Sequence, residues 1–255
     1  MGILYYRFTK DFPEGNIEEL RAQGKMSSKA TVKGAFRAAL KDRRVWALFF
    51  IYAASFGVEL TINNMAALYF TDRFSLSITT AGLVAGIFGL MNLFARALGG
   101  IISDWCAQRG GLKARVTFLG VSLFIGGILL MVFSQMTVLP LAIAMMMTFA
   151  LFIKMANGAT YSVVPFINKK ALGAVSGIIG AGGNLGGVIF GFLFRAESMS
   201  YATGLFWLGM IVTVTSLVAV AVKFSLEDEK ETKEAFEAAR RQLVSVQPIL
   251  EESVR

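Results

Sequence analysis

Six uninterrupted apolar runs, each of about 18 residues or more, leave this chain little choice of fold. They cover residues 45–70, 79–102, 116–133, 139–165, 172–194 and 202–222. In hydrocarbon every backbone N–H and C=O must be satisfied internally, so runs of this length are expected to be transmembrane helices. The expected fold class is therefore all-α and integral to the membrane, with six spans. Composition agrees: 55% of the 255 residues are hydrophobic and 16% charged, with a mean hydropathy of +0.62. There is no His and a single Cys, Cys106, which removes Cys/His zinc sites, disulfide frameworks and His-based catalysis. No enzyme activity and no cofactor are expected.

The net charge of +8 suits either nucleic acid or a membrane topology, and its distribution decides. Residues 1–44 carry 10 Lys/Arg, residues 103–115 carry 3, residues 166–171 carry 2 and the segment from Lys223 onward carries 6, together 21 of 25. By the positive-inside rule these segments are cytoplasmic. The short connections near 71–78, 134–138 and 195–201, with only Arg73 and Arg195, face outward. Topology accounts for the basic charge, so no nucleic-acid partner is expected. The first 44 residues are polar and read as a cytoplasmic segment with no cleavable signal, which starts the N-terminus inside. The expected organisation is a basic segment 1–44, a six-helix bundle 45–222 and a cytoplasmic tail 223–255, in the inner or plasma membrane.

Both flanking segments carry helix signatures. Val32, Phe36 and Leu40 recur every fourth residue against Lys33, Arg37, Lys41, Arg43 and Arg44, the pattern of a basic amphipathic helix lying on an anionic leaflet. Ser225 and Asp228 form an S-x-x-D capping box, and Glu229/Lys233 and Glu237/Arg241 are spaced as i, i+4 pairs. These predict a solvated helix over 225–246 that ends before Pro248.

Polar groups inside apolar helices are costly, about 2.5–3.5 kcal/mol for a charge at mid-span, and so mark function. In the first span Tyr52, Phe56, Glu59 and Asn63 follow i, i+4, i+7, i+11 and share one face. In the fourth, Lys154, Asn157, Gly158 and Tyr161 form a comparable stripe. The alternatives are interfacial tyrosines and asparagines acting as interhelical glue. Counted from their basic ends, Glu59 lies 14 residues past Val45 and Lys154 lies 12 before Phe166, or ~21 and ~18 Å deep. The match in depth predicts that they pair, either as a structural lock or with Glu59 as a protonation site. Arg96, eight residues before Asp104, is expected at ~12 Å. There it either snorkels to the headgroups or offers a planar fork of donors to a small oxyanion.

The fifth span carries eight glycines, of which Gly183, Gly187 and Gly191 form a small-xxx-small ridge. Its GAGGNLGG run (180–187) resembles a phosphate loop, but Leu185 stands in the place of the third glycine and no Lys follows. Nucleotide binding is rejected.

Taken in order, FGVELTINN (56–64), ARALGGIISD (95–104), NGATYSVVPF (157–166) and GAGGNLGG (180–187), preceded by YYRFTKDFPEGN (5–16), resemble the C-terminal half of the nitrate/nitrite porter family of the major facilitator superfamily. The resemblance implies helices seven to twelve of a twelve-helix, alternating-access transporter. It implies that Arg96 binds nitrate or nitrite, that Tyr52 and Phe56 are site aromatics, and that Gly182, Gly183 and Asn184 lie near the substrate. It also implies that the Gly100–Asp104 stretch is a gating loop. Trp105 stands where that loop commonly has a basic residue, and the next basic residues are Arg109, Lys113 and Arg115. The implied partners are nitrate or nitrite, protons if transport is coupled, the lipid bilayer, and an N-terminal six-helix half or a second copy. The competing reading is a truncated, non-transporting remnant or an assembly subunit, which the presence of an N-terminal half encoded nearby would disfavour.

Overall fold

The computed structural model describes residues 32–194 and 199–234, together with Asn16, Glu19, Leu20 and Gln23. Helix α1 (Val32–Lys41) leads into α2 (Arg43–Phe74). Asp42 caps α2 by accepting the Arg44 N–H at 2.9 Å, and Ser75, at φ 53°, ends it. α3 (Ile78–Leu90), capped by Ser77, passes through a 3-10 turn, Met91–Leu93, into α4 (Ala95–Ser134). α5 (Leu139–Val163), α6 (Leu172–Leu193) and α7 (Tyr201–Ser216) follow, with α7 tightening to 3-10 geometry over Leu217–Ala221. The last helix among the described residues, α8, covers 226–234.

Among the described residues, five helical stretches are long and apolar enough to cross a membrane: Arg43–Phe74, Ile78–Ser134, Leu139–Phe166, Leu172–Leu193 and Tyr201–Ala221. The second and third apolar runs of the sequence thus lie in one 57-residue stretch. It is not a single rod. Gly110 (φ −130°, ψ 18°) and Gly111 (φ 68°, ψ −162°) break α4 into two helices at a kink. Residues 103–109, expected as loop, continue the helix. The helix departs from helical geometry only at Gly110 and turns at Gly111, in the left-handed region that glycine enters without steric cost.

Helices in hydrocarbon associate through close packing rather than through exclusion of water. α2 lies along α6, and α4 lies along both α5 and α7. The α2–α6 seam is glycine against backbone: a Cβ on Gly57 would sit 2.7 Å from the Gly186 carbonyl carbon, and one on Gly186 would collide with the Ala53 carbonyl oxygen. Gly182, Gly183, Gly186 and Gly187 make these approaches. Gly191, expected to continue the ridge, faces open space. Deeper in the bundle Phe70, Phe88, Phe133 and Phe149 are buried and in ring contact. Outside, apolar side chains are bare, with Leu83, Leu93 and Val220 each more than 70% exposed. That surface suits a lipid or protein neighbour, not water.

The capping box forms as a reciprocal pair: Asp228 N–H donates to Ser225 Oγ at 3.1 Å and Ser225 N–H to the Asp228 carboxylate at 3.0 Å. The Ser225 N–H, reinforced by Arg44 and Lys169, holds the Asp228 carboxyl below the usual carboxylate range. α8 keeps most of its side chains exposed, as expected of a solvated helix, and is docked through its acids. Glu229, expected to pair with Lys233, instead accepts the N–H groups of Leu112 (2.8 Å) and Lys113 (2.9 Å). It thereby caps the helix that restarts after Gly111. Asp228 meets Arg44 at 3.6 Å and Glu231 meets Lys169 at 2.5 Å. Glu237, Arg241 and the rest of the expected tail helix lie outside the described residues.

The kink makes a testable demand. A Gly111→Ala side chain would hold a left-handed φ, costing about 1–2 kcal/mol, and would collide with the Glu229 carboxylate, costing about 0.5–2 kcal/mol more as the cap is lost. Thermal unfolding in detergent is expected to show Gly111→Ala less stable than Glu229→Gln. The reverse order would mean that the cap, not the backbone, makes the turn.

Candidate functional site

Three elements bring polar groups to one place. α2 presents Tyr52, Phe56 and Glu59, the α3–α4 junction presents Phe88, Asn92 and Arg96, and α5 presents Lys154, Asn157 and Tyr161. Their approach depends on small residues: a Cβ on Gly99 would strike the Met155 carbonyl, and one on Gly158 would strike the Arg96 carbonyl. α4 and α5 therefore cross backbone to backbone, with Arg96 beside the α5 stripe.

Glu59 is the hub. Its Oε1 lies 3.2 Å from Lys154 Nζ, and its Oε2 accepts from Arg96 Nη2 at 2.9 Å and from Asn157 Nδ2 at 2.7 Å. Lys154 also donates to Asn92 Oδ1 at 2.9 Å and sits 4.1 Å from the Phe88 ring centroid. Glu59, Lys154 and Asn157 are at most 2% exposed, whereas the Arg96 side chain is 35% exposed. One carboxylate thus faces two cations, leaving one uncompensated positive charge in apolar surroundings. Low dielectric magnifies that excess. Among the described residues the buried Arg96 Nε and Asn157 Oδ1 have no hydrogen-bond partner, and an unmet donor of this kind costs about 1–3 kcal/mol.

Aromatic rings wall this group. Tyr52 and Phe56 stack at 5.1 Å with an interplanar angle of 6°, Tyr161 meets Tyr52 edge-on at 5.1 Å, and Arg96 Cζ lies 5.2 Å from the Phe56 centroid. The slab rests on α6, where a Cβ on Gly183 would come within 2.7 Å of both Tyr52 and Phe56. Gly182 backs onto Phe49 in the same way. Asn184 is exposed, and its amide donates to the Gly180 carbonyl of its own helix at 3.1 Å. Asn63, on the expected α2 stripe, is also exposed.

A second polar group lies at the kink. Arg115, 2% exposed, reaches Asp104 at 2.7 Å and the Ser162 carbonyl at 2.9 Å, with the Phe166 ring 4.9 Å away. Ser103 and Ser162 share a hydrogen bond at 2.7 Å. Arg115 therefore ties both sides of the kink to the end of α5. Gly100 faces open space, and Arg109 stacks on Trp105 at 3.6 Å rather than serving Asp104.

The expected ~12 Å depth of Arg96 rested on a helix ending at Asp104. The helix runs on to the kink, which puts Arg96 14 residues before Gly110, or ~21 Å. That is level with Glu59, and the guanidinium pairs there instead of snorkelling. Asn92 and Phe88 escaped the sequence reading although they precede Arg96 by four and eight residues. An Asn one turn from an intramembrane Arg was a usable signal.

Comparison with known proteins follows this geometry. Residues 1–191 match the family model described as Major Facilitator Superfamily. The chain is 37% identical over 218 residues to a high affinity nitrate transporter 2.5 of Arabidopsis thaliana, covering 85% of this chain and 43% of that protein. It is 36% identical over 219 residues to a high-affinity nitrate transporter 2.3 of Oryza sativa subsp. japonica, covering 85% and 42%. It is 31% identical over 245 residues to a nitrate/nitrite transporter NrtP of a Picosynechococcus strain, covering 89% and 45%. The chain thus spans less than half the length of these relatives. With the family model covering the spans that build the charged group and its aromatic wall, the chain belongs to the Major Facilitator Superfamily.

Proposed function

We propose that this chain carries nitrate or nitrite across the cell membrane as six spans of an alternating-access permease. The observation that carries the reading is the charge count around Glu59: two cations, one carboxylate, and a partly exposed guanidinium with an unmet donor. A small monovalent oxyanion supplies the missing charge and accepts from the planar fork that Glu59 leaves free. Tyr52 and Phe56 shape one wall, Gly183 allows them to pack against α6, and Gly182 and Asn184 flank the path. The relatives named for nitrate transport support the same substrate.

Both Glu59 oxygens are already engaged, which supports a counter-ion role over a proton-carrying one. Six spans follow from dividing the 57-residue stretch at Gly110 and Gly111: unbroken, it would run ~85 Å against a hydrocarbon core of ~30 Å. The basic residues of 1–44 and 223–255 support a cytoplasmic side for both segments. The Asp104–Arg115 pair lies at that end and acts as a gating tie. The six spans correspond to helices seven to twelve of a longer permease, and the exposed polar edge of Asn63, Asn64, Tyr161 and Asn184 is where a second six-helix unit completes the path.

The test is labelled-nitrate uptake by cells expressing this chain alone and then together with a candidate N-terminal half. Uptake is expected only in the second case, because one bundle offers half a cavity. Uptake by the chain alone at the same rate would overturn the half-permease reading, and no uptake in either case would leave the chain a non-transporting membrane subunit.

A further inference from the structure

We propose that the groove between the post-kink part of α4 and the end of α7 is a binding site for an anionic phospholipid. The phosphate is held by Lys113 and Lys223, and an acyl chain lies along the apolar wall. The cavity holds about 650 Å³, within the roughly 300–1,000 Å³ typical of ligand pockets. Its walls are Val121, Phe124, Leu217 and Val220, and Leu226 and Glu229 of α8 close one end. The groove exists because Gly120 and Ala219 bring the two helices together, a Cβ on Gly120 lying 3.0 Å from the Ala219 Cβ. Beyond that point the chain leaves its 3-10 turn and peels away through 222–225 to α8. α2, α5 and α6, which carry Glu59, Lys154 and Gly183, contribute nothing to the lining. The site is therefore separate from the charged group and rests only on the bundle being in a membrane.

Charge identifies the occupant. Lys113 and Lys223 are both exposed, and among the described residues neither ammonium has an ion-pair partner. Among the acids nearby, Glu229 is held by the N–H groups of Leu112 and Lys113, Asp228 by Ser225 and Arg44, and Glu231 by Lys169. With Lys113 and Lys223 against Glu229 the lining keeps a net positive charge, while the walls are apolar, with Leu217 62% and Val220 73% exposed. A zwitterionic lipid would fill the walls equally well and gain less at the mouth. Basic pockets between transmembrane helices select anionic headgroups on this principle. A bound lipid also buttresses α8 against the kink, since Leu226 and Glu229 form the floor.

Native mass spectrometry of the full chain in detergent, titrated with dioleoyl phosphatidylglycerol or dioleoyl phosphatidylcholine, tests this. Phosphatidylglycerol is expected to bind the first site roughly 10- to 30-fold more tightly, the effect of two lysines near a phosphate. The Lys113→Gln/Lys223→Gln variant is expected to lose that preference. Val121→Trp, which fills the groove, is expected to weaken both lipids while keeping the lysines. An Arg37→Gln/Lys41→Gln variant, at exposed positions of α1, is the charge control and is expected to change nothing. Undiminished phosphatidylglycerol preference in the double-lysine variant would overturn the proposal. So would unchanged binding in Val121→Trp, or an equal loss in the α1 control.

Discussion

Glu59→Gln is expected to destabilise the protein by about 3–5 kcal/mol, the range for removing one partner from a buried ion pair. The effect is large because Glu59 is the only carboxylate of the group and serves two cations at once. Without its charge, Lys154, fully buried, faces Arg96 across an uncharged amide. Chemical or thermal unfolding in detergent measures the loss. The design that isolates the cause is the double variant Glu59→Gln/Lys154→Met. It restores the parent's net charge of one positive unit in the cluster, fills the Lys154 volume with an apolar chain, and is expected to regain most of the stability. A Glu59→Gln protein as stable as the parent would show that solvent, not Glu59, balances the two cations. A single variant and a double variant that are equally unstable would show that shape, rather than charge, holds α2, α4 and α5 together here.

On the proposed function, Arg96→Lys is expected to weaken nitrate binding roughly 10- to 100-fold, corresponding to about 1.5–3 kcal/mol for one charge-assisted hydrogen bond. Lysine keeps the positive charge and the contact with Glu59, so folding is expected to survive. It loses the planar fork of the guanidinium, whose remaining donors are left for a planar oxyanion once Glu59 has taken Arg96 Nη2. The measurement is the concentration dependence of nitrate uptake in cells co-expressing this chain and a candidate N-terminal half. Stability of the variant in detergent is the control. Unchanged affinity in a well-folded Arg96→Lys protein would remove Arg96 from the substrate and leave it as a second lock on Glu59.

The two experiments read different halves of one arrangement, and the residues in it were unequally legible. Hydropathy is a local property, so the apolar runs, and with them an all-helical membrane protein, follow from the sequence directly. Helical periodicity is also local: it put Tyr52, Phe56 and Glu59 on one face and Lys154, Asn157 and Tyr161 on another. Equal depth then suggested the Glu59–Lys154 contact, now seen at 3.2 Å. The S-x-x-D box at Ser225 and Asp228 needs only neighbouring backbone, and it forms as the spacing implies.

Where a contact depends on how a helix ends or kinks, the sequence pointed elsewhere or was silent. Arg96 was assigned a shallow position because Asp104 looked like a helix boundary. The true boundary is the left-handed Gly111, and its cap comes from Glu229, more than a hundred residues away in the chain. The 3-10 turn at Met91–Leu93 that sets Asn92 and Arg96 on the Glu59 side is likewise imposed by packing, because nothing in MNL breaks a helix by itself. Sequence alone thus determined which side chains are too polar for hydrocarbon. Only tertiary structure decided that three of them share one carboxylate, because the energy of a buried charge depends on partners brought by other helices, and no local pattern encodes that crossing.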